Sequence, residues 1–75
     1  MKNNRSLSQE RPEHYRFQHK QNGNFTGYLL NESQDFYTIQ LTCAVAGLNA
    51  IWRDGEVVRW SREWTSIIKK VNRPK

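Results

Sequence analysis

The chain is short of most residues that would commit it to a chemistry. Cys43 is the one cysteine in 75 residues. A lone thiol closes no internal disulfide and offers no thiolate pair to a structural metal. Such usage fits a reducing compartment, so the expected location is cytoplasmic. Cys43 itself reads as a small core residue on a strand. The four glycines are dispersed and none opens a helix, which argues against a phosphate-cradling loop. No apolar run approaches the roughly 18–20 residues that span a bilayer, so no membrane partner is expected. The start, Met1-Lys2-Asn3-Asn4-Arg5, is charged but has no apolar stretch behind it, unlike a secretory signal.

Catalytic groups are equally sparse. His14 and His19 lie five apart and would point to opposite faces of a strand. They read as solvent-exposed strand histidines, too few for a metal set. Ser33, Ser61 and Ser66 lack the elbow that exposes a nucleophile. The expectation is a protein that is not an enzyme, with no catalytic, metal or cofactor residues. Carboxylates are scarce too. Seven Asp and Glu face 12 Lys and Arg, for a net charge of +5 and a pI near 9.8. That balance favours polyanions, nucleic acid above all.

What the chain does have is alternation and turns. Residues 1–13 are polar and read as a flexible arm with at most one helical turn at Ser8-Gln9-Glu10-Arg11. The domain proper is expected over 14–72, with a frayed basic tail at 73–75. Tyr15, Phe17 and His19 alternate with polar residues, which predicts a strand. Asn22-Gly23 predicts a tight turn, and residues 24–30 a second strand. Gly27 inside it marks a bulge, a bend or a close backbone approach. Asn31 to Asp35 reads as a loop, and Phe36 to Cys43 as a third strand with Tyr37, Ile39, Leu41 and Cys43 on one face.

Residues 44–49 either continue that strand past Gly47 or connect it onward. Ala50 to Trp60 reads as a hairpin across Asp54-Gly55 and supplies strands four and five. After it, Trp60, Trp64, Ile67, Ile68 and Val71 fit a helical stripe, but β-branched residues favour a 3₁₀ turn at 61–64 and a closing strand. Short strands joined by tight turns predict a mainly β fold: a small, five-stranded, strongly bent antiparallel barrel. A small core and an unpaired edge also point to a homo-oligomer.

From Tyr15 to Asn72 these residues resemble the Sm-like barrels, the family that includes the bacterial RNA chaperone Hfq. The resemblance lies in Asn22-Gly23, then Gly27, then the strand holding Ile39 and Leu41, and in Val57-Val58-Arg59-Trp60 followed by Thr65-Ser66-Ile67-Ile68. It implies an RNA-binding barrel that assembles with copies of itself. The Lys-His pair of the bacterial members is absent, and Arg59 and Trp60 stand in that neighbourhood. An SH3-like barrel of the Tudor or KOW type fits the same pattern.

Arg53, Arg59 and Arg62 lie within the thirteen residues 52–64, which also hold Trp52, Trp60 and Trp64. Arginine grips phosphate through a two-pronged fork, and an aromatic face stacks on a base. Arg53, Arg59, Trp60, Arg62 and Trp64 are therefore the expected nucleic-acid contacts, with Trp52 first among the tryptophans to be buried. The expected function is a small basic regulator that binds nucleic acid, single-stranded RNA in preference. The alternative is a protein-binding adaptor or inhibitor, of the kind phages and mobile elements carry. It would add a partner strand to its edge and anchor it on tryptophans.

Overall fold

The computed structural model describes residues 12–74, and they fold mainly as β-strands. The strands are β1 (His14–His19), β2 (Gly23–Glu32), β3 (Phe36–Leu41), β4 (Val45–Ala46), β5 (Ile51–Trp52), β6 (Val57–Ser61) and β7 (Thr65–Lys70). Five form one antiparallel sheet in the order β6-β3-β2-β1-β7, and β4 pairs with β5 in a two-stranded ribbon. The helical turn expected at residues 8–11 lies outside the described residues.

The five-stranded antiparallel sheet is present as expected, but it is open and does not close into the expected barrel. Its outermost strands, β6 and β7, are consecutive in sequence yet share no ladder among the described residues. They are joined only through Arg62–Trp64. Four strand spacings of about 4.8 Å would put flat edges some 19 Å apart. Four extended residue steps reach about 14 Å at most. The sheet must therefore bend to let so short a turn connect its ends. Backbone bonds hold that turn from both sides: Arg62 N–H donates to Asp35 O at 2.9 Å, and Lys20 N–H to Trp64 O at 2.9 Å. The turn at 61–64 and the closing strand stand as expected, with Trp64 N–H donating back to Ser61 O.

Register sorts the side chains. Phe17 pairs with Phe25, Leu29 with Ile39, and Ile39 with Val58, so these residues share the inner face. Phe17, Phe25, Tyr37, Ile39, Leu41, Val45 and Val58 form the buried cluster. Phe17 and Phe25 stack with centroids 5.1 Å apart. Close approach, rather than a bulge, explains Gly27. A Cβ there would stand 2.6 Å from Ile39 Cγ2 and 2.9 Å from the Gln40 carbonyl. The bulge falls instead at Leu30, between the Leu29 and Asn31 pairings. It lets β2 run through Asn31 and Glu32, where a loop was expected.

The largest correction concerns the stretch around Asp54-Gly55. The turn is present: Glu56 N–H donates to Arg53 O at 3.1 Å and Gly55 has φ +96°. The hairpin is not. β5 pairs back to β4, while β6 pairs with β3. The reason lies in the backbone bonds of the turn. Gly55 N–H donates to Leu41 O at 2.7 Å, and Leu41 N–H to Glu56 O at 2.8 Å. The end of β3 thus takes the groups that a hairpin would use internally. It also stops β3 at Leu41, so Cys43 follows the strand rather than ending it, half-buried against the core.

Candidate nucleic-acid interface

The expected contact residues divide between regions. Arg59 pairs with Thr38 and Trp60 with Tyr37, so they lie on opposite faces of β6. Arg59 is exposed, with its guanidinium over the Phe36 ring, 4.4 Å from the centroid. Arg62 is engaged on three sides. It bridges Glu32 at 3.1 Å, donates to Ser33 O at 2.8 Å and lies over Tyr37 at 4.9 Å. Those contacts tie the Arg62–Trp64 turn to the end of β2. Arg53 sits in the Asp54-Gly55 turn, where its N–H donates to the Glu56 carboxylate at 2.9 Å. Trp64 is 39% exposed, with its ring 6.1 Å from that of His19.

Trp60 packs inward. Its ring meets Phe25 and Trp52 edge-on, both at 5.1 Å, and His19 at 5.0 Å. Trp52 is half-buried rather than fully buried, because its ribbon lies over the side of the core. Between the ribbon and the β1–β2 turn opens a cleft of about 340 Å³. Trp52 and Trp60 form its aromatic wall, and His19 lines it beside them. Gln21, Asn22 and Asn49 supply side-chain amides, and Leu48 and Ala50 belong to the exposed end of the ribbon.

The histidines depart from the solvent-exposed reading. They do lie on opposite faces, since His14 pairs with Tyr28 and His19 with Gly23, but both are buried. His14 Nδ1 lies 2.6 Å from Asn72 O and Nε2 2.8 Å from Thr42 Oγ1, an anchor for the chain after β7. His19 Nδ1 accepts from the N–H groups of Gln21 and Asn22, each at 3.1 Å. That role requires a bare Nδ1, so the neutral ring carries its proton on Nε2. Burial also lowers the His19 pKa below its ordinary value, which keeps the ring neutral. No described residue bonds Nε2. His19 lines the cleft, and Thr65 Oγ1 is the sealed side-chain atom without a partner among the described residues.

The outer face of the sheet is different. Arg16 pairs with Lys69, two like charges directly opposite one another. Tyr28 lies on the same face, with Arg73 over its ring at 5.4 Å. Phe36 lies there under Arg59. The strands hold four cations, Arg16, Arg59, Lys69 and Lys70, and one carboxylate, Glu32. Glu32 pairs with Tyr37 in the inward register and bridges Arg62. No outward-pointing strand residue is acidic.

No family model, curated protein or solved structure matches the chain. Among the described residues no group of three or more His, Cys, Asp and Glu is placed to hold a metal. No helix there is long and apolar enough to cross a membrane.

Two groups of residues escaped sequence reasoning. Arg16, Tyr28, Phe36 and Lys69 each sat in plain alternation, and counting carboxylates per strand would have found them. His19, Asn22 and Asn49 looked like strand-end and turn residues. Only the return of the ribbon over the first turn joins them.

Proposed function

We propose that the protein binds single-stranded nucleic acid, RNA in preference to duplex DNA, across the outer face of its sheet. The observation that carries the reading is charge placement: this face presents Arg16, Arg59 and Lys69 without a strand carboxylate. Like charges opposed across strands weaken a sheet unless something neutralises them. A phosphate backbone does so and releases its counterions. Tyr28 and Phe36 add aromatic area, and the arginines above them offer flat guanidinium planes on which unpaired bases stack. Duplex bases are already stacked and gain less from such a platform. In this reading Arg59 keeps its expected role as a nucleic-acid contact, while Arg62 holds the fold.

The test is a salt titration of binding to fluorescent single-stranded RNA, single-stranded DNA and duplex. Arg16, Arg59, Lys69 and Arg73 as four cationic contacts on a single strand would give a log–log slope of about −3. RNA should bind most tightly and duplex least. Failure of every single strand to bind at about 50 mM salt would overturn the proposal.

One observation favours a second reading, that of a protein-binding adaptor. The outer edge of β7 is unpaired among the described residues and carries exposed Ile67 and Ile68. A partner strand could add there, although Lys69 and Lys70 are residues that discourage edge pairing. Recovery of a stoichiometric protein partner, with no single-strand binding, would make this the better account.

A further inference from the structure

We infer that the cleft between the β1–β2 turn and the β4–β5 ribbon receives one unstacked nucleobase of the bound strand. The inference rests on the single-strand reading but uses a region apart from the outer face.

Size comes first. About 340 Å³ is at the small end of ligand clefts, which run from roughly 300 to 1,000 Å³. Charge comes second. No Asp, Glu, Lys or Arg lines the cleft. His19 is held neutral by burial and by two N–H donors on Nδ1. An uncharged lining in a chain of net charge +5 suits a neutral ring better than a free phosphate or a cation.

Chemistry comes third. Trp52 and Trp60 cross at 79°, so one indole can face a flat ring while the other closes its edge. His19 lines the cleft and its Nε2–H has no partner among the described residues, which leaves it a donor for an acceptor on the guest. The amides of Gln21, Asn22 and Asn49 each offer both donors and an acceptor, which is what a base edge requires. A perpendicular aromatic corner would also suit a methylated ammonium. Such sites gain from a nearby carboxylate, and this lining has none.

The test uses the full chain and three probes: uridine, adenosine and tetramethylammonium. Indole N–H and His19 ring signals are followed by NMR. A nucleoside should shift Trp52, Trp60 and His19 saturably, while Trp64, outside the cleft, moves less. Ala50→Phe should then block the cleft. Ala50 is exposed, and only its backbone carbonyl is used, by Gly47 N–H, so the fold is left intact. The variant should weaken a labelled pentanucleotide roughly 5- to 150-fold, one lost base stack, without changing the salt slope.

Unchanged affinity in Ala50→Phe with a normal salt slope would overturn the inference and leave the outer-face reading standing. Shifts with tetramethylammonium but with neither nucleoside would overturn it in favour of a cation site. Saturable nucleoside shifts with no oligonucleotide binding would support the base site while removing the strand-binding function.

Discussion

The two faces of the sheet are made from the same strands and obey opposite rules. Inside, aromatic rings meet one another and leave little polar surface: Phe17 on Phe25, and Trp60 on Phe25, Trp52 and His19. Outside, Phe36 and Tyr28 lie under arginines and Arg16 opposes Lys69, whereas the one inner ring under an arginine among the described residues is Tyr37, at the rim beneath Arg62. A period-2 strand can serve both faces because each residue answers to one side only. The inner face answers to folding, and the outer face, beyond the buried His14 anchor at one end, is free to hold charge that folding does not need. Substitutions in the two regions should therefore separate stability from salt-dependent binding.

The widest separation is expected between Phe17 and Tyr28. Phe17→Ala removes a ring that is 0% exposed and should cost about 3–5 kcal/mol, enough to unfold much of so small a domain. Tyr28→Ala, on the outer face, should cost about 1 kcal/mol yet weaken single-strand binding. Urea denaturation followed by tryptophan fluorescence measures the first effect and anisotropy the second. Equal losses of stability would erase the distinction between the faces.

Gly27→Ala tests how closely β2 and β3 approach. Its Cβ would meet the Ile39 side chain and the Gln40 carbonyl, and backbone cannot swing away. A loss of about 1–3 kcal/mol is expected. An unchanged urea midpoint would show that the strands have room to part.

Arg62→Ala sharpens the comparison from within the predicted site. It removes the Glu32 bridge, the bond to Ser33 O and the stack on Tyr37. The bridge is half-exposed, so the whole loss should be only about 1 kcal/mol. The salt slope should stay unchanged, because this arginine already has its anion. A slope reduced by one contact would return Arg62 to the nucleic-acid interface.

Acid should weaken the inner face selectively. His19 has a depressed pKa in the fold and titrates near 6.5 when unfolded. Below pH 6.5 the unfolded chain takes up a proton that the folded chain resists. Stability is therefore full above that pH and falls as pH drops toward the folded pKa. Subtracting the urea-midpoint profile of His19→Gln from that of the wild type isolates this group. A difference that does not change between pH 7.5 and 5 would contradict the burial argument.

The alternation of Tyr15, Phe17, Tyr37, Ile39 and Leu41 was legible because it depends only on neighbours along one strand. The turn at Asp54-Gly55 was legible for the same reason. Its hairpin was not, because pairing depends on competition. The end of β3 binds Gly55 and Glu56, and a two-residue β5 offers too little ladder to resist. The cleft was illegible for a related reason: it needs the ribbon folded back over the β1–β2 turn, and nothing local in Leu48-Asn49-Ala50 announces that contact. The buried histidines were misread because polar side chains were assumed to seek water. His14 finds Thr42 and Asn72 instead, 28 and 58 residues away.

The smallest expected change in stability is also the most direct test of the outer face. Arg16 and Lys69 are cross-strand partners, and both are exposed. Removing one of two opposed like charges relieves repulsion, so Arg16→Gln should raise stability by no more than about 0.5 kcal/mol. If the pair exists to meet phosphate, the same change should lower the single-strand salt slope by about 0.7, the share of one contact. Stability and binding would then move in opposite directions from a single substitution. A fall of more than about 1 kcal/mol would mean that Arg16 supports the fold, whereas an unaltered slope would mean that phosphate does not sit between these strands.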